Sequence, residues 1–301
     1  MTSSSLSGKV KAMTGASVAV AFALGLVCTA VAEMKCPLPG NWQLDVENSD
    51  EFNGAFDHDR WYDYPPRFPG RPGEFRFLAR NVAQRDGDLL ITADKVPDDE
   101  IPYEQRLEGM KGFTCGAVKS RRKMFRGYFE ARIKVNPAAV RNAFWLYDPL
   151  SDDLQAKYSA GNVSEEIDVF ETAGRHQPED AHLPYFLTMN THHYITPYYE
   201  AVCNNHNVPL GSIRQIDFCP SDDYHVYGLL WTDRELVWYL DGAEMARMSI
   251  LAYGHGGFPR ALHVVFDCEF AEWNGARFKT LDLKTLPAVQ KIDWFRHWVL
   301  Q

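Results

Sequence analysis

The feature that most constrains this chain is alternation. In "RGYFEARIKV" (126–135), Tyr128, Glu130, Arg132 and Lys134 interleave with Phe129, Ala131, Ile133 and Val135. Successive side chains of a strand point to opposite faces, so such a run has one polar and one apolar face. "YFLTMNTHHY" (185–194) repeats the pattern, setting Phe186, Thr188, Asn190 and His192 against Leu187, Met189, Thr191 and His193. "DLLITAD" (88–94) follows a turn at Asp86-Gly87, and "NAFWLYD" (142–148), "RALHVVFDCEF" (260–270) and "KIDWFRHWVL" (291–300) are further strand-like runs. "YHVYGLLW" (224–231) and "LVWYLDG" (236–242), joined by "TDRE", read as a hairpin. Prolines and glycines punctuate the gaps, and no long stretch has the period of an amphipathic helix. Many short strands imply an antiparallel sandwich or barrel.

With 46% hydrophobic residues, 301 residues can bury a large core. No internal repeat or linker divides residues 33–301, which are expected to form one domain. The expected architecture is all-β, a sandwich of two curved antiparallel sheets. Its apolar strand faces would meet in the core. The opposite face, with Trp145, Glu166, Asp168, Asn190 and His192, would line a concave groove. Sugar rings stack on Trp and their hydroxyls pair with polar groups, so the groove suits an extended saccharide. The alternative is a solvated strand face, which has little use for Trp.

Within "SEEIDVFETAG" (164–174), Glu166 and Asp168 share a strand face, but Glu171 falls one step late. A β-bulge near Val169-Phe170 would insert one extra residue and return Glu171 to that face. The two Glu α-carbons would then lie about 13 Å apart, four steps at about 3.3 Å. Side chains leaning together could bring the carboxyls to about 5–6 Å, the separation that suits a retaining glycosidase. That chemistry needs one ionised carboxylate to attack and one protonated carboxyl to donate. Asp168 between them would hold negative charge nearby and help keep the acid protonated. Scattered acids on a solvated face, or a calcium site, are the competing readings.

Several segments, in order, resemble one family. "EIDVFE" (166–171) is similar to the bulged catalytic signature of glycoside hydrolase family sixteen. "SDEFNG" (49–54) resembles that family's opening. "ARNVAQRDGDLL" (79–90), "CGAVKSRRKMFRGYFEARIKV" (115–135) and "YHVYGLLWTDRELVWYLDG" (224–242) resemble later segments, so the likeness spans nearly all of residues 42–300. It implies a β-jelly roll and retaining endo-hydrolysis of β-linked polysaccharides. Glu166 would be the nucleophile, Asp168 its assistant and Glu171 the acid/base, with Trp145 stacking a sugar ring. It also implies a structural calcium on the convex side, held by Asp293, Gly87 and the Asp50-Glu51 region, and no cofactor for catalysis. "VVFDCEFAEWNG" (264–275) and "GRPGEF" (70–75) resemble the subgroup acting on red-algal galactans: agarases, porphyranases and kappa-carrageenases. Arg71, Glu269 and Trp273 are therefore further substrate-binding candidates, beside Asn190 and His192. Arg67, Arg260 and Arg277 could flank the groove. A β-1,3-glucanase, a transglycosylase and a non-catalytic sugar-binding module remain alternatives; the last would not need all three acids.

Residues 1–32 differ from the rest. Lys9 and Lys11 precede a short apolar run that ends in "TAVA", the pattern of a cleaved secretory signal peptide. The run is short for a span of about 20 residues, which disfavours a membrane anchor. Cleavage would remove two lysines and no acid, taking the net charge from −9 to −11. Such a charge makes nucleic acid an improbable partner, since phosphate needs a basic face. The expected protein is a secreted monomer acting on a polysaccharide, free of the membrane. Cys203 and Cys219 bracket a polar loop and are either a bridge or two buried thiols.

Overall fold

Strands form where the alternation puts them. In the run from Gly127 to Lys134, Phe129, Ala131 and Ile133 are fully buried. In the run from Phe186 to Ile195, Leu187 and Met189 are buried in the core. The computed structural model describes residues 34–66, 70–71, 74–101, 103, 112–148, 163–174, 183–195, 200–201, 213–250, 258–270 and 281–301. The expected leader at 1–32, Arg67, Cys203, Trp273 and Arg277 lie outside these described residues.

The described strands, in chain order, are β1 (Trp42–Leu44), β2 (Trp61–Tyr62), β3 (Gly70–Arg71), β4 (Phe75–Phe77), β5 (Val82–Arg85), β6 (Asp88–Lys95), β7 (Phe113–Cys115), β8 (Ala117–Ser120), β9 (Gly127–Lys134), β10 (Arg141–Asp148), β11 (Val163–Ala173), β12 (Phe186–Ile195), β13 (Glu200–Ala201), β14 (Ile213–Gln215), β15 (His225–Trp231), β16 (Glu235–Leu240), β17 (Ala243–Ser249), β18 (His263–Glu269) and β19 (Ala288–Leu300). One sheet runs β17-β16-β15-β9-β19-β6-β7-β4-β3, with β1 on β19 and β5 on β6. The other runs β13-β12-β11-β10-β18-β8-β2, with β14 on β12. Among the described pairings all are antiparallel except β4 with β7. Residues Lys35–Gln301 form one compact unit.

Turn chemistry sets the registers. Asp86 and Gly87 have φ of 57° and 82°, and Asp241 and Gly242 have 48° and 79°. Two consecutive left-handed residues make the tight turn that suits hairpin twist, and Asp-Gly is among its preferred pairs. These turns join β5 to β6 and β16 to β17. The expected hairpin of β15 and β16 pairs Trp231 with Leu236 and Tyr227 with Leu240.

Between the sheets lies an aromatic core. Phe144 of β10 stacks on Phe266 of β18 with ring centroids 4.8 Å apart, and Phe295 of β19 meets Phe266 edge-on at 5.8 Å. Full burial of each such ring contributes about 1.5–3 kcal/mol. Cys219 is a free buried thiol with Sγ 3.2 Å from Ser221 Oγ, so it is not bridged.

The bulge is present in β11. Against β10, Phe170 pairs with Phe144 and Asp168 with Trp145, so Val169 is the extra residue. Against β12, Asp168 pairs with Asn190 and Glu171 with Thr188, so Val169 and Phe170 together oppose Met189. Ile167, Val169 and Phe170 all face the core. Phe170 stacks on Tyr227 of the other sheet at 3.9 Å, and the Trp238 indole donates to the Asp168 carbonyl at 2.8 Å. Trp238→Phe keeps an aromatic side chain, though a smaller one, and removes this donor, leaving a buried carbonyl unpaired. Urea unfolding should show a loss of about 1–3 kcal/mol, and turnover should fall further than the lost stability explains. Unchanged turnover in a destabilised variant would mean that the bulge holds without the indole.

Candidate active site

The site face is built by register. Across β10, β11 and β12 the outward rows are Tyr147–Glu166–His192, Trp145–Asp168–Asn190 and Ala143–Glu171–Thr188. On the other side of β10, His263, Val265, Asp267 and Glu269 of β18 stand opposite Tyr147, Trp145, Ala143 and Arg141. Trp145, Glu166, Asp168, Glu171, Asn190, His192 and Glu269, all singled out from the sequence, therefore share one face of one sheet. Arg71 joins them from β3 of the other sheet, its Nη2 3.6 Å from Glu269 Oε2.

This face is recessed. Asp168, Asn190, Asp267, Glu269 and Arg141 are each less than a tenth exposed, whereas charged residues on an open sheet face stay solvated. Burial therefore governs their protonation. It pushes the Glu171 carboxyl up to about 7, against the Arg141 guanidinium, whose Nη1 lies 2.7 Å from Glu171 Oε1. Asp168 and Glu269 add to the rise. Burial, then Glu269, likewise lifts Asp267 well above the ordinary carboxylate range. Burial also raises Glu269, opposed by Arg71 and Arg141. For His192 burial works the other way, but contact with Asp168 and the charges of Glu166 and Glu171 outweigh it and hold the imidazole at about 9. Its Nε2 lies 3.3 Å from Asp168 Oδ2, 3.7 Å from Glu166 Oε1 and 3.0 Å from Asn190 Nδ2. At neutral pH it is a cation set between two acids.

Trp145 is held at its edge. Its Nε1 donates to Asp267 Oδ2 at 2.9 Å, and its ring lies 5.1 Å from that of Tyr147. Sequence reasoning missed Asp267, Tyr147 and Arg141. Period-two counting reaches all three: Asp267 is two steps from Glu269, and Tyr147 and Arg141 are two and four from Trp145. The strand was expected to start at Asn142, one residue after Arg141.

Two metal questions arise. Glu166, Asp168 and His192 each offer a ligand atom within 4.8 Å of the others, the one such cluster among the described residues. The expected calcium ligands on the other sheet are engaged differently. Asp293 Oδ2 is 2.5 Å from Arg132 Nη1, and Glu51 takes a two-pronged bond from Arg296, both at 2.8 Å. Asp50 accepts from the Phe52 amide and the Trp61 indole, both at 2.9 Å. These three carboxylates are engaged by cations and by amide and indole donors.

Comparison with known proteins places this geometry. A family model described as "Beta-porphyranase A-D, GH16 domain" matches residues 42–300. The chain belongs to glycoside hydrolase family 16. Beta-porphyranase B of Zobellia galactanivorans is 28% identical over 244 residues, 77% of this chain and 76% of that protein. The kappa-carrageenase of Pseudoalteromonas carrageenovora is 26% identical over 288 residues, 89% of this chain and 68% of that protein. The solved beta-porphyranase BpGH16B from the human gut bacterium Bacteroides plebeius superposes with a TM-score of 0.71 at 22% identity, covering 87% of this chain and 95% of that one. The family-16 jelly roll is thus the fold, as the sequence led us to expect. Among the described residues no helix is long and apolar enough to cross a membrane.

The Glu171 shift is directly measurable. Between 4.5, its ordinary value, and about 7, the folded protein keeps a proton that the unfolded chain has released. Stability contributed at this group therefore falls as pH rises through that window. Carbon-13 NMR of the labelled carboxyl should give a midpoint near 7, and Arg141→Met should move it higher by removing the nearest cation. A midpoint that falls in that variant would contradict the assigned electrostatics.

Proposed function

We propose that this protein is a secreted, endo-acting, retaining glycoside hydrolase that cleaves β-1,4 bonds in a red-algal galactan, porphyran foremost. The observation that carries the reading is the bulged strand. It turns Glu166, Asp168 and Glu171 to one face and buries Glu171 where its carboxyl keeps a proton to about pH 7.

In this mechanism the Glu166 carboxylate attacks the anomeric carbon while the Glu171 carboxyl donates its proton to the departing glycosidic oxygen. A glycosyl ester forms on Glu166. Glu171, now ionised, takes a proton from a water molecule, and the resulting hydroxide displaces Glu166. The His192 cation, 3.7 Å from Glu166 Oε1, keeps the nucleophile oriented and ionised, and Asp168 holds that imidazole in place at 3.3 Å. Trp145, fixed edge-on by Asp267, offers its ring to a sugar. The two carboxyls supply the acid–base and nucleophilic chemistry, so no step is routed through a metal ion. Residues 1–32 act as the leader, and the released enzyme works as a monomer.

The substrate class rests on the porphyranase description of the matched family model and on the names of the relatives. Cations at the site face, Arg71 among them, suit a sulfated sugar. The glucanase alternative keeps support from a glucan endo-1,3-beta-glucosidase A1 of Niallia circulans, 24% identical over 82% of this chain but 36% of that protein. A site built for one hydroxyl orientation leaves groups unpaired with the other, at about 1–3 kcal/mol each.

Reducing ends should therefore appear fastest from porphyran, or else from agarose or kappa-carrageenan, and slowest from laminarin; laminarin in first place would restore the glucanase reading. Proton NMR of the first product should show the β anomer, and an initial α product would exclude double displacement. Glu166→Ala and Glu171→Ala should each cut turnover by at least about a hundredfold in folded protein. Azide should partly rescue Glu171→Ala only with an activated leaving group, because the lost proton then matters little.

A further inference from the structure

Glu166, Asp168 and His192 also have the spacing of a metal centre. Glu166 and His192 are cross-strand partners in β11 and β12, and Asp168 lies two residues on, on the same face. Paired strands, not loops, therefore place the three ligand atoms. His192 Nε2 stands 3.3 Å from Asp168 Oδ2 and 3.7 Å from Glu166 Oε1. A tetrahedral ion with nitrogen and oxygen ligands at about 2.0–2.1 Å spaces those ligands about 3.3–3.4 Å apart. Asp168 Oδ2 is buried, in a residue 4% exposed, and accepts no hydrogen bond although it faces the imidazole nitrogen. Such an oxygen gains by acquiring a positive partner. Asn190 offers no ligand atom, because its Oδ1 takes the Thr191 amide and its Nδ2 is the atom 3.0 Å from His192 Nε2. The other acids of this face are committed elsewhere: Glu171 to Arg141 at 2.7 Å, Glu269 to Arg71 at 3.6 Å and Asp267 to the Trp145 indole at 2.9 Å. Asp168 forms the floor of the cluster, and the partly exposed Glu166 and His192 open it to the groove.

We propose that Glu166, Asp168 and His192 form an inhibitory site for a divalent transition-metal ion of the zinc and copper kind. One imidazole and two carboxylates suit Zn2+ or Cu2+. Ca2+ and Mg2+ take about six or more oxygen ligands and make little use of an imidazole, so they fit the cluster poorly. The ion takes the place of the imidazole proton, which passes to solvent. Its fourth position faces the groove and is left to water. While the ion is bound, the Glu166 carboxylate is engaged with it and is not free to attack an anomeric carbon. Metal and reacting sugar therefore exclude each other at Glu166. The binding stands on the geometry of the cluster, whereas the inhibition rests on the role proposed above for Glu166.

The full-length chain is stripped with EDTA, dialysed and titrated with zinc chloride by calorimetry at neutral pH, beside Glu166→Gln, His192→Ala and Glu171→Gln. Wild type and Glu171→Gln should bind zinc, and the other two variants should bind it at least about tenfold more weakly. Cobalt(II) in place of zinc should give the intense visible absorption of a tetrahedral centre, lost in His192→Ala. If His192→Ala fails to fold, Glu166→Gln carries both comparisons. Zinc should also suppress the release of reducing ends with a midpoint at the calorimetric Kd. EDTA should restore it, and calcium or magnesium at millimolar concentration should leave it unaffected. Equal zinc affinity in wild type and in both ligand variants would place the ion on other histidines and overturn the site. Zinc held at this site without loss of turnover would overturn the inhibition and count against Glu166 as the nucleophile. Should no polysaccharide be cleaved, the calorimetric and cobalt comparisons still decide the site, and the failure falls on the proposed function.

Discussion

One hydrogen bond, from the Trp238 indole to the Asp168 carbonyl, marks the constraint on which the site depends. A regular strand would send Glu171 to the face opposite Glu166. The extra residue in β11 reverses that, but it disturbs the ladder on both sides and turns a backbone carbonyl toward the core. A buried carbonyl without a donor is costly. Trp238 comes from the other sheet, fully buried, to supply the donor, and Tyr227 stacks on Phe170 beside it. The bulge is thus a two-sheet object. Its distortion is made in the strand that carries the acids and is compensated by a hairpin that carries none of them.

The second constraint is charge. Five acids, Glu166, Asp168, Glu171, Asp267 and Glu269, share one face, on a protein that is acidic overall. Were all five ionised and exposed, that face would repel a sulfated chain. Burial changes the count. Glu171, Asp267 and Glu269 are all pushed toward their neutral forms, while His192 is pushed toward its cation. Arg141 and Arg71 add fixed positive charge. Their presence also sets the cost of disturbing the site, because removing one partner from a buried ionic group leaves the others uncompensated. The acids of the proposed mechanism and a sulfated substrate are compatible for this reason.

Period-two reading recovered most of the site because a sheet face is a simple function of residue number. Glu166, Asp168, Trp145, Asn190 and His192 all fell on the face that parity assigned them, and Glu269, taken from the family resemblance, joins them there. Glu171 needed one more idea, a bulge, and its signal was the odd spacing of the acids. Arg141 and Asp267 were equally within reach of parity and were passed over for lack of a reason to look. Their importance lies in contacts across strands, which alternation does not encode. The same limit explains the cysteines. Cys203 and Cys219, flanking a loop in sequence, could be read either as a bridge or as two buried thiols. Cys219 is a free buried thiol whose Sγ meets Ser221 Oγ at 3.2 Å.

The sheet away from the site shows how far a resemblance carries. It pointed to calcium near Asp293, Gly87 and the Asp50-Glu51 region, where the start of the chain meets its last strand. That junction is closed here by side chains. The Asp45 amide donates to the His297 carbonyl, and Asp50 and Phe295 exchange backbone bonds at 2.8 Å. The His297 side chain holds the Asp45 carboxyl down at about 2, and its ring stacks on Phe129. The stabilisation from that pair is present above the ordinary value of 3.8 and is lost as pH falls through about 2. Arg296 grips Glu51 with two bonds while lying 4.0 Å over the Trp294 ring. Arg60 donates to the Ser49 carbonyl and stands 3.7 Å from Asp50. A divalent ion cross-links carboxylates and carbonyls by charge; a planar guanidinium does so with directed donors and needs no ligand from solution. In this chain directed donors of the second kind hold the junction, so its stability should follow pH and salt.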